Sequence, residues 1–143
     1  MNVFIVGSPL ETAQALDVKR LNKQIAECRQ IVDAMYGDTK AWSRHPATLQ
    51  YGENIVWLLL YRDCLLAYRA GDITEAQQNS DLADSIRPAF HTEEFINQMK
   101  RRLYTKDSNH YAQWAGLGTS DCNWYWSPAE EKIIKYVNGK RQD

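Results

Sequence analysis

The chain has 143 residues, 44% hydrophobic, 24% charged and 11% aromatic, with five Trp and eight Tyr. That composition fits one compact globular domain over 1–143 and excludes a disordered or low-complexity chain. Seventeen basic against eighteen acidic side chains leave a net charge of −1, so the balance alone does not announce a nucleic-acid binder.

The charge is unevenly spread. Residues 72–98 carry six acids and the single base Arg87, whereas 99–106 carry Lys100, Arg101, Arg102 and Lys106 with no acid. A neutral total therefore leaves room for a basic face. No apolar run reaches the roughly 18 residues that span a bilayer, and no basic region precedes the first apolar run, so neither a membrane segment nor a secretory signal is expected. The cysteines, Cys28, Cys64 and Cys122, are odd in number, far apart and without C-x-x-C spacing. Neither a disulfide framework nor a metal or other cofactor is expected, and a reducing cytoplasm is the expected setting.

In chain order, Val3–Val6 is a short apolar lead-in, too short to assign as a strand. Ser8-Pro9-Leu10-Glu11 is a capping-box signature that opens a brief helix. Asp17 looks like a second cap before a helix over about 18–36, with Leu21, Ile25, Cys28, Val32 and Met35 on its inner face. Gly37-Asp38 closes it. Trp42-Ser43-Arg44-His45-Pro46 is a loop with Trp42 in the core, and a strongly apolar helix over about 48–70 follows. Residues 73–84 suit a short acidic helix. Glu93–Tyr104 suits a helix with Phe95, Ile96, Met99 and Leu103 inward, and His110–Trp114 a short one. Residues 116–126 read as an aromatic loop, and Ser127-Pro128-Ala129-Glu130 repeats the capping signature ahead of a last helix to about 137. The expected class is all-α, a single domain of packed helices with a loop-rich aromatic C-terminal segment.

Four constellations can carry chemistry. Arg20, Lys23, Gln24 and Glu27 stand at offsets 0, 3, 4 and 7 and share one helix stripe. Two cations, an amide and a carboxylate suit a phosphate-lined site with one acid or base. The alternative is a solvated face with weak ion pairs. Arg44 and His45 stand in a loop where Pro46 biases His45 to an extended backbone; the His is either a projecting catalyst or a local cap. Lys100, Arg101 and Lys106 either track a phosphate backbone or serve solubility. Trp114 and Trp124-Tyr125-Trp126 either stack on an exposed base or close the core, at least two of the four being expected in the core.

The motifs Asp17-x-Lys19-Arg20-Leu21-x-Lys23-Gln24-x-x-Glu27, Trp42-x-x-His45-Pro46, Tyr51-Gly52-Glu53 and Leu103-x-x-Lys106-Asp107-x-x-His110-Tyr111 succeed one another in order, with aromatics following at Tyr125 and Trp126. In that order and spacing the chain resembles the pyrimidine-dimer DNA glycosylase family of the phage endonuclease V type, in a divergent viral or bacterial branch. The resemblance implies an all-α fold, double-stranded DNA as partner, and glycosylase chemistry with abasic-site lyase activity. Family enzymes use the N-terminal α-amine to form a Schiff base with the damaged nucleotide's sugar, assisted by a Glu on the first long helix. The resemblance assigns these roles to Met1 and Glu27, with Lys19, Arg20, Lys23, Gln24, Arg44, His45, Lys100, Arg101 and Lys106 as DNA-binding residues. A non-catalytic DNA-binding relative and an enzyme acting on nucleotides or modified bases are the competing readings.

Overall fold

The computed structural model describes residues 2–37 and 42–143. The order is α1 (Pro9–Ala15), α2 (Val18–Met35), α3 (Pro46–Leu49), α4 (Ile55–Arg69), α5 (Ile73–Ser85), α6 (Glu93–Lys106), a 3-10 turn (Ala112–Leu117), and strands β1 (Asn123–Ser127), β2 (Lys132–Val137) and β3 (Lys140–Gln142). Helices account for 56% of the described residues. The expected all-α class is therefore corrected: the chain is mainly helical and ends in a small antiparallel sheet ordered β1-β2-β3.

The helices form where the sequence chemistry favours them. At α1 both halves of the capping box are made, Glu11 N–H donating to Ser8 Oγ at 3.1 Å and Ser8 N–H to Glu11 Oε1 at 3.0 Å. Asp17 occupies the cap position of α2, but its side chain makes no cap bond. It accepts instead from the Arg20 guanidinium and the Tyr111 hydroxyl. The helix expected over 48–70 is broken into α3 and α4 by a turn at Tyr51-Gly52-Glu53. Pro46 starts the first piece, with His45 as its cap. Gly37 closes α2 with φ +78°, a left-handed conformation that costs glycine little; Asp38 lies outside the described residues.

The last expected helix, to about 137, is the hairpin β1–β2 instead. Ser127 Oγ does accept from Glu130 N–H, at 3.2 Å, so the local capping bond forms, but within a turn. Beyond it the branched and aromatic side chains Ile133, Ile134, Tyr136 and Val137 favour a pleated surface. Trp124 stands opposite Lys135 and Tyr125 opposite Ile134. Asn138-Gly139, both with positive φ (51° and 76°), then turns β2 into β3, the conformation two-residue hairpins require. Gly139→Ala is expected to lower stability by about 1 kcal/mol, read as a shift in urea midpoint with unchanged slope.

One apolar core runs from Val3 through Ile25, Trp57, Leu65 and Met99 to Tyr125. Tyr51, Trp57 and Tyr61 form a buried stack with centroid separations of 5.4 and 5.1 Å and planes within 12° of parallel. The lead-in Val3–Val6 is buried through Ile5 and partly buried at Val6, yet joins no sheet. Its alternate backbone groups are served by side chains: Asn2 N–H by Glu27, Phe4 N–H by Gln24, and Val6 N–H by Thr12. This arrangement draws the start of the chain along the inner side of α2. None of the helices among the described residues is long and apolar enough to cross a membrane.

Candidate active site

A cleft of about 220 Å³ opens between the lead-in, α2, the C-terminal end of α6 and the start of β1. Its walls carry Lys19, Arg20, Lys23 and Glu27 from α2, Arg102 and Lys106 from α6, and Asn2, Phe4 and Asn123. Five cations thus surround one carboxylate. The sequence stripe on α2 is brought together with Lys106 across the cleft, so a helix period and a separate basic run converge.

Glu27 is the carboxylate of this cleft. It is only 8% exposed, and its Oε2 accepts from Asn2 N–H at 3.3 Å and from Gln24 Nε2 at 3.1 Å. Burial raises its pKa above the ordinary carboxyl value, while the Asn2 N–H and the charges of Lys23 and Lys106 act in the opposite direction. Burial also lowers the Lys106 pKa, and the neighbouring cations Arg102, Lys23 and Arg20 add to that. A carboxyl pushed up and an amine pushed down both move toward neutral pH, where proton transfer is most efficient.

Arg20 is held from behind. Its Nη1 lies 3.2 Å from Asp17 Oδ2 and 3.9 Å from Asp107 Oδ2. Asp17 in turn takes the Tyr111 hydroxyl hydrogen and donates its own N–H to that oxygen at 3.1 Å. Burial works against the Asp17 charge, but the bonds from Tyr111 and Arg20 keep its carboxyl below the usual range. The result is a fixed guanidinium on the cleft wall.

Gln24 does not line the cleft. It is 1% exposed, and all its polar capacity is used internally. Its Nε2 donates to Asn2 O at 2.8 Å as well as to Glu27, and its Oε1 accepts from Phe4 N–H at 2.9 Å. His45 caps α3, its Nδ1 accepting from Ala47 N–H at 3.0 Å, and packs edge-on to Trp42 and Tyr125. Burial lowers its pKa. Arg44 lines a separate, mostly apolar cavity of about 440 Å³ with Leu49, Trp126 and Tyr136. Lys100 Nζ sits 5.8 Å from the centre of the Trp114 ring, and Arg101 Nε donates to Leu117 O at 2.7 Å. These four residues are not brought to the Glu27 cleft. Met1 lies outside the described residues. Trp42, expected in the core, is 46% exposed, because its backbone turns through φ +68° in the loop. Tyr125 is buried, and Trp114 and Trp126 pack partly buried against the core.

Three polar wall residues and the apolar Phe4 were absent from the sequence assignment. Arg102 stands four residues before Lys106, the spacing that puts two side chains on one helix face; that offset was the available signal. Asn2 and Asn123, joined by a side-chain hydrogen bond of 3.2 Å, had no sequence signal at all.

The segment that carries the acid is also the one that resembles a known family. Residues 1–68 match the family model described as pyrimidine dimer DNA glycosylase. The match covers the lead-in, α2 and Glu27, and supports a function of the pyrimidine dimer DNA glycosylase type with DNA as substrate. The chain matches no curated protein and no solved structure.

Proposed function

We propose that the Glu27 cleft is the active site of a DNA glycosylase with abasic-site lyase activity, and that the amine of Met1 is its nucleophile. The observation that carries this reading is the 3.3 Å bond from Asn2 N–H to Glu27 Oε2 inside a ring of cations. Asn2 directly follows Met1 in the sequence, so this reading pairs the Met1 amine with the Glu27 carboxylate. An α-amine, with a pKa of about 8, retains a useful neutral fraction near pH 7.

In this mechanism the neutral amine attacks C1′ of the damaged nucleotide's deoxyribose. The C–N bond forms as the glycosidic bond breaks, and the base leaves with the electron pair and takes up a proton. The nitrogen gives up a proton, its lone pair breaks the C1′–O4′ bond to form an iminium, and O4′ takes up a proton as the ring opens. The Glu27 carboxylate then accepts the C2′ proton, and the electrons expel the 3′ phosphate. Lys19, Arg20, Lys23, Arg102 and Lys106 bind the flanking phosphates and offset the charge of the leaving group.

Borohydride trapping on abasic and dimer-containing duplexes tests the reading. The expected result is a covalent protein–DNA adduct whose sugar remnant maps by mass spectrometry to the Met1 peptide. Salt-dependent duplex binding without an adduct identifies a non-catalytic binder. Failure to bind duplex at low salt, with turnover of a nucleotide or modified base, identifies the third reading. Binding should weaken with salt, and Lys23→Ala and Lys106→Ala should each reduce the slope of log K against log salt by about 0.9.

A further inference from the structure

Gln24 and Tyr61 lie beneath the cleft and contact no solvent-facing ligand surface, yet they join every group that fixes the carboxylate. Tyr61 and Gln24 are both essentially fully buried. The Tyr61 hydroxyl donates to Phe4 O at 2.7 Å and lies 3.1 Å from Gln24 Oε1. One face of the Gln24 amide takes Phe4 N–H, and the other gives its two hydrogens to Asn2 O and Glu27 Oε2. The amide orientation is thereby set: Phe4 N–H requires an oxygen, and Asn2 O requires an N–H. No other side chain type of that size supplies both. A Glu would lose two donors, and a Met would lose every bond.

We infer that Gln24 is a positioning residue of the proposed active site, an amide clamp that holds the lead-in against α2 and fixes the orientation of the Glu27 carboxyl in the cleft wall. Tyr61 is the brace that holds the clamp. This inference rests on the proposed function for its catalytic meaning, but its physical content is separable from turnover. The amide N–H stabilises the ionised carboxyl; removing it favours the protonated form. A carboxylate in its place sets two like charges side by side and favours protonation further.

The test is a carbon-13 NMR titration of the Glu27 side-chain carboxyl, assigned with Glu27→Gln, in the wild type, Gln24→Glu, Gln24→Met and Tyr61→Phe. Gln24→Met, which buries no new charge, keeps the test open if Gln24→Glu does not fold. Expected is an upward displacement of the Glu27 midpoint, largest in Gln24→Glu, smaller in Gln24→Met and least in Tyr61→Phe. Asn2 and Phe4 amide exchange should also quicken at least tenfold in Gln24→Met. An unmoved midpoint in a folded Gln24→Met, with unchanged exchange, overturns the clamp. Adduct formation measured on the same proteins separates the two readings. Wild type without adduct but with the displacement removes the catalytic reading and leaves the clamp. Wild-type activity with no displacement removes the clamp alone. Where both stand, the adduct rate should fall at least tenfold in Gln24→Met, and the acid limb of its pH profile should move to higher pH.

Discussion

Glu27→Gln should reduce strand cleavage and adduct formation by about 10²–10⁴-fold, the usual contribution of a positioned general acid or base, while leaving duplex affinity within a few-fold. The substitution keeps the volume and an oxygen able to accept from Asn2 N–H, which meets Oε2 at 3.3 Å in the wild type. It removes the charge that receives the C2′ proton. Burial already opposes that charge, so the neutral amide should fold at least as readily as the acid, and loss of activity cannot be put down to unfolding. Single-turnover cleavage and thermal melting on the same samples check both halves. Cleavage retained within threefold of wild type would remove Glu27 from the reaction.

A second large effect belongs to the core. His91 is buried between Phe90, Trp57 and Phe95. Its Nε2 lies 2.9 Å from the Tyr51 hydroxyl. Burial holds its pKa down to about 3, with a smaller contribution from Arg87. The unfolded chain takes up this proton near pH 6.5, whereas the folded chain refuses it until about pH 3. The unfolded state therefore binds more protons across that window, and stability falls as the pH falls through it, by on the order of 5 kcal/mol in total. His91→Gln keeps a polar partner for Tyr51 and cannot titrate there. Urea unfolding from pH 7 to pH 4 should show a steep loss in the wild type and a shallower one in the variant. Parallel curves would assign acid sensitivity to other groups.

The helices were legible because their signals are local. Ser8 and Glu11 cap α1 through the bonds their spacing allows, and the inner faces of α2 and α6 follow the helical period. Ser127 and Glu130 obeyed the same rule and made the same bond, but the branched residues and the Asn138-Gly139 turn beyond them favour a hairpin. A local rule was satisfied inside a different structure. At the site, the period placed Arg20, Lys23 and Glu27 on one side of α2, and they share the cleft. It could not say that Gln24, on the same stripe, would be roofed by the lead-in and by Tyr61, because a period gives an angle and not the neighbour that covers it. The placement of Arg44, Lys100 and Arg101 was likewise set by tertiary contacts, to the apolar cavity, Trp114 and Leu117.

The cleft wall is divided along the chain. Lys19, Arg20, Lys23 and Glu27 fall within the 68 residues that match the family, while Arg102, Lys106 and Asn123 fall beyond them. The acid and three of the cations beside it are thus encoded in one stretch, and the rest of the enclosure in another. Replacements in the later stretch can retune what fits beside the carboxylate while leaving its hydrogen-bond donors, Asn2 and Gln24, in place. A fragment ending at residue 68 would carry the Glu27 carboxylate with only part of its vault.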